Sequence, residues 1–546
     1  MRRFNVTGTC VGHEHYMVDI SNKLDEIEKL VELRQYFTIN RARQYGKTTT
    51  LLHLRRRLEK RGEYICAGIS FGNVGLSAFE TEGAFCEMLL DKISTALGFS
   101  CASEDYASSW LCPSVVNLNL LNKHITKLCK DKKIVLTIDE VDKSANNRLF
   151  LHFLGLLREK FLARTSGEDY TFYSVILAGV TDIKNLKLKM INDGIYTPLK
   201  EEGSLVNSPW NIAADFEVDM SFLPNEISTM LGCYESDSNT GMDVTEVSNE
   251  IHYYTNGYPY LVSRICKHID EKLGKVWTKS SVAHAVQIIL KERSTLFDDL
   301  VKNMENNPEL CNFMYELLIL GKHKSFTLSN MTIDLAHTYG YIKEGKRANA
   351  VISNRIFESF LTGYFVSMEE TTPNKEILHG IIHQDVIRGN KFDMATCLQK
   401  FAAHYREIFT IKSELFASQK AASRPRLSSR FIEQPFLERQ GRLLFLTFLT
   451  PLLNGQGNYH IESQFTDERR MDIVVDFEKE QYIVELKIWR GEAAKEKTYE
   501  QLLGYLDTKN ASEGYLLTFD FRKKRKGKIK AEWIEVNGKR IFDVVV

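Results

Sequence analysis

Apolar residues follow two alternating periods in the first third of the chain. Four short runs rich in β-branched and aromatic residues are separated by longer segments with helical leucine spacing. The predicted strands are YFTIN (36–40), YICAGISF (64–71), KIVLTID (133–139) and FYSVILAG (172–179). Strands that alternate with amphipathic helices form parallel sheets, and near-continuous apolarity indicates strands covered on both faces. The pattern therefore predicts an α/β fold with a parallel sheet and crossover helices.

Helical periodicity replaces the strand signals between about 224 and 365, and 308–365 also contains short extended pieces. A helical pair is predicted over about 374–412, followed by the linker-like segment SQKAASRPRLSSR (418–430). We therefore predict five segments: an α/β core at 1–230, a helical lid at 231–300, a winged-helix-like unit at 301–368, a helical connector and linker at 369–430, and a separate α/β domain at 431–546.

Composition and charge limit the class of protein. The chain has 546 residues, of which 43% are hydrophobic and 26% charged, as expected for several globular domains and not for a disordered chain. Its 71 Lys+Arg balance 71 Asp+Glu, but residues 421–546 hold 22 basic and 19 acidic side chains. Seven basic residues lie between Arg522 and Lys530, a run that fits phosphate contacts and a solvated hairpin tip equally well. Contact with a polyanion is therefore expected in the last quarter of the chain.

The ten cysteines contain no C-x-x-C pair, which favours reduced thiols over a disulfide framework or a zinc site. The start MRRFNVTGTC has no apolar core of a signal peptide, and the longest apolar run, 443–453, is too short to cross a bilayer. We therefore predict a soluble cytoplasmic protein without a membrane partner.

Two histidine pairs have spacings compatible with a metal ion, His13 with His15 and His379 with His383. Neither pair has an acidic partner at a matching position. Structural or surface histidines are the favoured interpretation.

The first strand runs into RARQYGKT (41–48) and then into a helix. At a helix N-terminus backbone N–H groups face an anion, so Gly46 and its neighbours would bind phosphate, Lys47 would reach the β- and γ-phosphates, and Thr48 would ligate Mg²⁺. The first loop position, usually Gly in this motif, is Arg41. The alternative interpretation is an ordinary helix N-terminus.

The predicted third strand ends in Asp139 and Glu140. In a P-loop enzyme the Asp at such a strand end holds Mg²⁺, and the neighbouring Glu polarises the attacking water. The alternative is a solvated Asp–Glu pair. The loop and this strand together favour binding and hydrolysis of ATP with Mg²⁺.

Residues 10–290 resemble the AAA-ATPase-like family of P-loop proteins, whose loop often reads R-x-R-x-x-G-K-[ST], as 41–48 does. The resemblance also covers YMVDIS (16–21), AGVTD (178–182), SPWNIAADFEVDM (208–220) and YTNGYPYLVSRICKHI (254–269). It implies that Thr181 senses the γ-phosphate and that Arg264, with Gly257–Tyr258–Pro259, belongs to a lid over the nucleotide.

Ring-forming relatives supply an arginine in trans, so the resemblance also implies a homo-oligomer. Arg158 and Arg164 are candidates for that arginine, although solvated surface positions fit both. Tyr16 is a candidate to stack on adenine, and a buried core tyrosine is the competing interpretation.

Near the C-terminus, MDIVVD (471–476) and YIVELK (482–487) flank a polar turn. If they pair across a four-residue loop at 477–480, Asp472 lies opposite Glu485, with Lys487 diagonal to both, and the other face is apolar. Two carboxylates about 5 Å apart repel by roughly 3 kcal/mol, which Mg²⁺ would relieve. Lys487 would orient or help deprotonate an attacking water. The alternative is a solvated hairpin face with an Asp–Lys pair.

Residues 431–520 resemble the PD-(D/E)xK nuclease fold, in particular the restriction-endonuclease-like domain that follows AAA-ATPase-like modules. The resemblance implies an acidic residue on a preceding helix, Glu438 here, and a glutamine on the following helix, Gln501 in TYEQLLGYL.

These features predict an ATP-dependent or ATP-regulated nuclease that uses ATP and Mg²⁺ and acts on nucleic acid, with DNA the expected substrate. The alternative is a nucleotide-gated regulatory switch whose C-terminal domain binds nucleic acid or protein without cleavage.

Overall fold

The computed structural model describes residues 2–100, 102–143, 147–180, 210–319, 322, 324–345, 347–371, 386–388, 391–403, 405, 441–442, 444–446, 448–450, 452–453, 457–463, 471–477, 480–489, 491–508, 511–520 and 530–546. The chain divides into two compact units. The first comprises Met1–His252, Gly257–Lys267 and Leu335–Gly340, and the second comprises Tyr253–Asn256, His268–Asp334 and Tyr341–Val546.

The first unit is built on a four-stranded parallel sheet with the order β1-β4-β3-β2. Its strands are β1 (Tyr36–Asn40), β2 (Ile65–Ser70), β3 (Ile134–Asp139) and β4 (Ser174–Gly179). Each predicted strand is present, and every residue of β3 and β4 is buried. Apolar clusters cover both faces of the sheet, as near-continuous apolarity predicted.

Helices connect these strands, and several begin at a side-chain cap. The helices are α1 (Ser21–Glu32), α2 (Lys47–Lys60), α3 (Glu82–Gly98), α4 (Glu104–Ser108), α5 (Leu118–Cys129) and α6 (Arg148–Thr165). Thr81, Asn117 and Asn147 each accept a backbone N–H in the first turn of α3, α5 and α6, which fixes where these helices start. The predicted α/β fold with crossover helices is confirmed.

The middle of the chain is helical, as its periodicity predicted. The helices are α7 (Pro224–Ser238), α8 (Val244–Thr255), α9 (Pro259–Lys272), α10 (Lys279–Lys291), α11 (Thr295–Glu305), α12 (Pro308–Leu318), α13 (Met331–Thr338) and α14 (Arg355–Thr371). Between α13 and α14, β5 (Ile342–Glu344) and β6 (Ala350–Ile352) pair as a short antiparallel hairpin. Within the described parts of the chain, no helix is long and apolar enough to cross a membrane.

The C-terminal part contains a six-stranded mixed sheet with the order β13-β14-β12-β11-β10-β9. The strands are β9 (Gly457–Ser463), β10 (Met471–Phe477), β11 (Glu480–Ile488), β12 (Glu513–Phe519), β13 (Lys530–Val536) and β14 (Lys539–Val545), with helix α15 (Glu492–Thr508) between β11 and β12. One face packs on a large apolar cluster, and the other packs on Leu502, Leu503 and Leu506 of α15. Both faces of the central strands are therefore buried.

The predicted helical pair at 374–412 is wrong in part. Two short strands, β7 (Ile387–Arg388) and β8 (Lys391–Phe392), pair where helix was expected, and helix occupies 394–403. The sequence between the two strands is Gly-Asn, a dipeptide typical of hairpin turns, and the helical interpretation did not take this signal into account. Phe392, Leu398 and Phe401 lie in the same core as the C-terminal sheet, because their apolar side chains complete its larger cluster. The domain boundaries themselves stay predictions.

Several predicted features lie outside the described residues: Thr181, His379, His383, the linker 418–430, Glu438 and 522–529 of the basic run.

Candidate functional site

The first candidate site lies where β1 meets α2. Gly46 adopts a left-handed conformation (φ +79°), which glycine reaches without strain. It is the N-cap of α2, and no side chain caps that end of the helix. The backbone N–H groups at the start of α2 are therefore available to an anion.

Lys47 and Thr48 begin the same helix. The Lys47 ammonium donates to the carbonyl oxygens of Arg41 and Ala42 at 2.8 and 2.9 Å. The Thr48 hydroxyl donates to Asp139 Oδ2 at 2.5 Å. The structure thus brings together the loop and the end of β3, as expected for one phosphate and magnesium site.

A second carboxylate near Lys47, that of Asp142, was not identified from the sequence. Burial lowers the pKa of Lys47 to about 8, and Asp142 opposes this shift more strongly than Asp139 does. Asp142 also accepts the backbone N–H of Val180 at 3.1 Å, directly after β4. A second carboxylate three residues after Asp139 was the only available sequence signal.

Glu140 is held in a strained position at the end of β3. Its φ is +56°, which is uncommon for a residue with a side chain. Its Oε2 accepts the Ser70 hydroxyl at 3.2 Å, and a Cβ placed on Gly72 would lie 1.5 Å from that oxygen. Glycine at position 72 therefore makes room for the Glu140 carboxylate.

Arg41, which stands where the first loop position is usually Gly, holds the loop in place. The guanidinium donates to the carbonyls of Asn40 and Val218 at 2.8 and 2.7 Å and lies 5.3 Å from the centre of the Phe216 ring. Burial lowers the pKa of Arg41. The arginine thus ties the loop to the segment that follows 210.

A cavity of about 390 Å³ lies beside the loop, lined among others by Gln44, Gly46, Thr49 and Tyr16. Tyr16 is buried, its ring contacts Phe4 at a centroid distance of 5.0 Å, and its hydroxyl donates to Asp237 at 3.1 Å. This volume is typical of small-molecule sites. Tyr16 is a core residue that also forms part of the cavity wall.

The segment Gly257–Tyr258–Pro259 contacts the loop. The Tyr258 hydroxyl donates to the Arg43 carbonyl at 2.5 Å, and Pro259 lies 4.0 Å from the position of a Cβ on Gly46. Gly257 has φ +73°, and a Cβ there would lie 2.1 Å from the Phe222 carbonyl oxygen. Arg264 follows on α9, half-buried.

The two candidate trans-acting arginines differ. Arg164 donates to the carbonyls of Phe172, Tyr173 and Arg34 at 2.7, 2.8 and 2.8 Å. It therefore holds backbone and is not a solvated surface residue. Arg158 is half-buried on α6, with its Nε buried and without a hydrogen-bond partner among the described residues.

The second candidate site lies on the hairpin of β10 and β11. Ile473 pairs with Val484, and pairing continues to Phe477 with Glu480. This is the predicted register, which puts Asp472 level with Glu485. The loop is shorter than predicted, because only residues 478 and 479 remain between the paired ends. The side chain of Asp472 lies outside the described part of the chain.

Glu485 is only 2% exposed. The Lys487 ammonium lies 2.5 Å from its Oε1, outside hydrogen-bond geometry, and that oxygen has no hydrogen-bond partner among the described residues. A solvated hairpin face is therefore wrong as an interpretation, since α15 covers this side of the sheet. A buried carboxylate costs several kcal/mol unless it is paired, and Lys487 supplies that pairing here. Carboxylate oxygens are also the ligands that Mg²⁺ prefers.

The same layer holds polar groups that the sequence analysis missed. Asp543 of β14 is 3% exposed, contacts the Lys495 ammonium and accepts the Tyr499 hydroxyl at 2.7 Å. The predicted Gln501 lies on α15, and its Oε1 is buried without a hydrogen-bond partner in the described structure. The sequence signal for Asp543 was a lone carboxylate within the apolar run IFDVVV.

His13 and His15, the predicted pair that lies within the described residues, have different surroundings. His13 is largely exposed beside Glu14, whereas His15 is buried and accepts the Val11 N–H at 3.0 Å. Among described residues, no group of three or more His, Cys, Asp or Glu side chains could hold a metal ion.

Comparison with known families bears on the hairpin site. Residues 458–531 match the model of the PD-(D/E)XK nuclease superfamily. The chain carries a C-terminal PD-(D/E)XK nuclease-superfamily domain. The match includes Asp472, Glu485, Lys487 and Gln501 and ends before Asp543. The predicted resemblance of the C-terminal domain to the PD-(D/E)xK nucleases is confirmed.

Solved structures of low sequence identity are also similar to the chain. The Walker-type ATPase PABY2304 of Pyrococcus abyssi is 13% identical, with 66% of this chain and 99% of that chain covered at a TM-score of 0.45. The ORC2 protein of Aeropyrum pernix, in ADPNP–ADP complexes, is 11% identical, with 64% and 97% covered at a TM-score of 0.34. No curated protein matches the chain.

Proposed function

We propose that the chain is an ATP-dependent or ATP-regulated nuclease that cleaves DNA. The observation that carries the proposal is the burial of Glu485 beside Lys487, within a domain that matches a nuclease superfamily. A buried carboxylate is costly to desolvate even beside a lysine, and a carboxylate is the ligand type that Mg²⁺ prefers.

In the first unit, the start of α2 and Lys47 would bind the phosphates of ATP. Thr48 and Asp139, already joined by a hydrogen bond, would hold Mg²⁺. Glu140 would orient the attacking water and accept its proton. Thr181 and Arg264 would contact the γ-phosphate side of the nucleotide.

In the nuclease-superfamily domain, Asp472 and Glu485 would hold Mg²⁺. When bound, the ion supplies stabilisation of negative charge on a phosphodiester oxygen. Lys487, whose ammonium is beside Glu485, would orient the attacking water, and Gln501 of α15 would help to position the site from above the sheet. The covering helix would limit access of bulk water.

The test compares wild type, Lys47→Ala and Lys487→Ala for cleavage of DNA and RNA, with and without ATP, in Mg²⁺ or Mn²⁺. Lys47→Ala is expected to abolish ATP hydrolysis. Lys487→Ala is expected to abolish cleavage and to leave ATP hydrolysis unchanged. Absence of cleavage by wild type under every condition would refute the nuclease.

The alternative, a nucleotide-gated switch, would turn over ATP slowly and change its oligomeric mass when nucleotide binds. Its C-terminal domain would bind nucleic acid or protein equally well in wild type and in Lys487→Ala. Sedimentation with ADP and with a non-hydrolysable ATP analogue measures that mass, and it also tests the predicted homo-oligomer.

A further inference from the structure

Asp543 stands on the last strand, outside the segment that matches the nuclease superfamily. It is the one charged residue within the apolar run 541–546, and only 3% of it is exposed. A buried carboxylate is stable only while its charged partner stays beside it. We therefore expect the residues that contact Asp543 to be held firmly in place.

Those neighbours both belong to α15. The Lys495 ammonium contacts Asp543 Oδ2, and the Tyr499 hydroxyl donates to the same oxygen at 2.7 Å. Lys495 and Tyr499 are four residues apart and therefore lie on one face of the helix. The Lys495 ammonium also lies 5.8 Å from the centre of the Trp489 ring, directly after β11.

The sheet register relates Asp543 to the hairpin site. Leu516 of β12 pairs with Glu485 on one side and with Asp543 on the other. Side chains at paired positions point to the same face, so Glu485 and Asp543 lie in one row beneath α15. With neighbouring strands about 4.8 Å apart, their backbones are about 10 Å apart.

We propose that Asp543 is a positioning residue that clamps α15, through Lys495 and Tyr499, above the row of Glu485, and thereby fixes the position of Gln501 on the same helix. This inference rests on the proposed nuclease function. The final strand thus completes the site, although it contributes no group that touches substrate.

A matched control exists on the same two elements. Lys539 at the start of β14 contacts Asp507 near the end of α15 at 2.7 Å, but Asp507 is 71% exposed. Exposed ion pairs contribute little to stability. Asp507→Asn therefore breaks a second tie between the same helix and strand without a buried charge.

The deciding experiment is amide hydrogen exchange of the full chain in wild type, Asp543→Asn, Tyr499→Phe and Asp507→Asn. We expect amides of α15 to exchange at least about tenfold faster in Asp543→Asn, with a smaller increase in Tyr499→Phe and no change in Asp507→Asn. Unchanged exchange in both Asp543→Asn and Tyr499→Phe would overturn the clamp. If Asp543→Asn does not fold, Tyr499→Phe alone decides it.

Cleavage kinetics test the link to the site. Asp543→Asn should lower kcat by about 10- to 100-fold and leave KM unchanged, as expected for a residue that acts through another. In a Gln501→Ala background the same change should have little further effect, because both act through one helix. If the two substitutions together lower kcat by the product of their separate effects, the positioning role of Asp543 is refuted. If wild type does not cleave, the proposed function fails, and the exchange data still decide the clamp.

Discussion

Two lysines lie close to carboxylates in this chain, and their surroundings differ. Lys47 donates to the carbonyls of its own loop, and its pKa is lowered to about 8 by burial. Lys487 lies directly against the buried carboxylate of Glu485. A lysine held by neutral carbonyls keeps its charge available for an incoming phosphate. A lysine paired with a carboxylate becomes available only when another cation takes up that carboxylate.

The largest expected effect comes from replacing one glutamate by glutamine at each site, since each substitution should act first on the activity of its own site. Glu485→Gln should reduce DNA cleavage by about 100-fold or more and leave ATP hydrolysis intact, because it removes the charge that would bind Mg²⁺. Glu140→Gln should reduce ATP hydrolysis by a similar factor, because it removes the proposed acceptor of a proton. Steady-state assays of both activities on both variants measure this. Loss of cleavage in Glu140→Gln would show that cleavage needs ATP turnover.

Gly72→Ala should have the next largest effect. A Cβ at this position would lie 1.5 Å from Glu140 Oε2, so the carboxylate must move. We expect ATP hydrolysis to fall by about 10- to 100-fold while nucleotide affinity is unchanged, since displacement by 1 Å can have that cost. Gly155→Ala is the control, because nothing lies within 4 Å of a Cβ there. Equal hydrolysis by both variants would contradict the proposed role of Glu140.

A pH series sharpens the comparison at Lys47. Its ammonium is charged below its pKa of about 8, and a bound phosphate favours the charged form. Nucleotide binding should therefore take up a proton above pH 8, and affinity should fall by up to about tenfold for each further pH unit. Titration with fluorescent ADP without Mg²⁺ measures this. Lys47→Arg, which stays charged, should bind with an affinity that does not change over the same range.

The smallest effect is expected at Arg41. Arg41→Ala loses two hydrogen bonds to backbone carbonyls and the contact with Phe216. We expect the free energy of unfolding of the first unit to fall by about 1–3 kcal/mol. Denaturant unfolding measures this, with the transition of that unit identified by its shift on adding ADP. Arg56→Ala, at an exposed position on α2, should stay within about 0.5 kcal/mol of wild type.

Local pattern was sufficient for the strands and the loop of the first unit. The four predicted strands are present because each is an apolar run bounded by polar residues, and both faces are covered. The hairpin register was predictable as well, because a shift by one residue would turn Ile473 and Val475 away from their core. The length of the hairpin loop was not predictable, because strand pairing extends through Phe477 and Glu480.

Burial was the main quantity that the pattern left open. The sequence suggested one core face and one charged face for the hairpin, whereas α15 covers the charged face and buries Glu485. Likewise, Arg164 read as a surface residue but donates to three backbone carbonyls. Each difference depends on which distant element lies above the residue.

The sequence by itself determined the chemical groups of both sites and the local elements that carry them, because turn residues, helix starts and side-chain periodicity act over a few positions. Only the tertiary structure decided which further charges join those groups. Asp142 approaches Lys47 through the packing of β3 against β4, and Asp543 joins the row of Glu485 through pairing with β12. Such partners are set by contacts between residues far apart in the chain, and local periodicity carries no information about them.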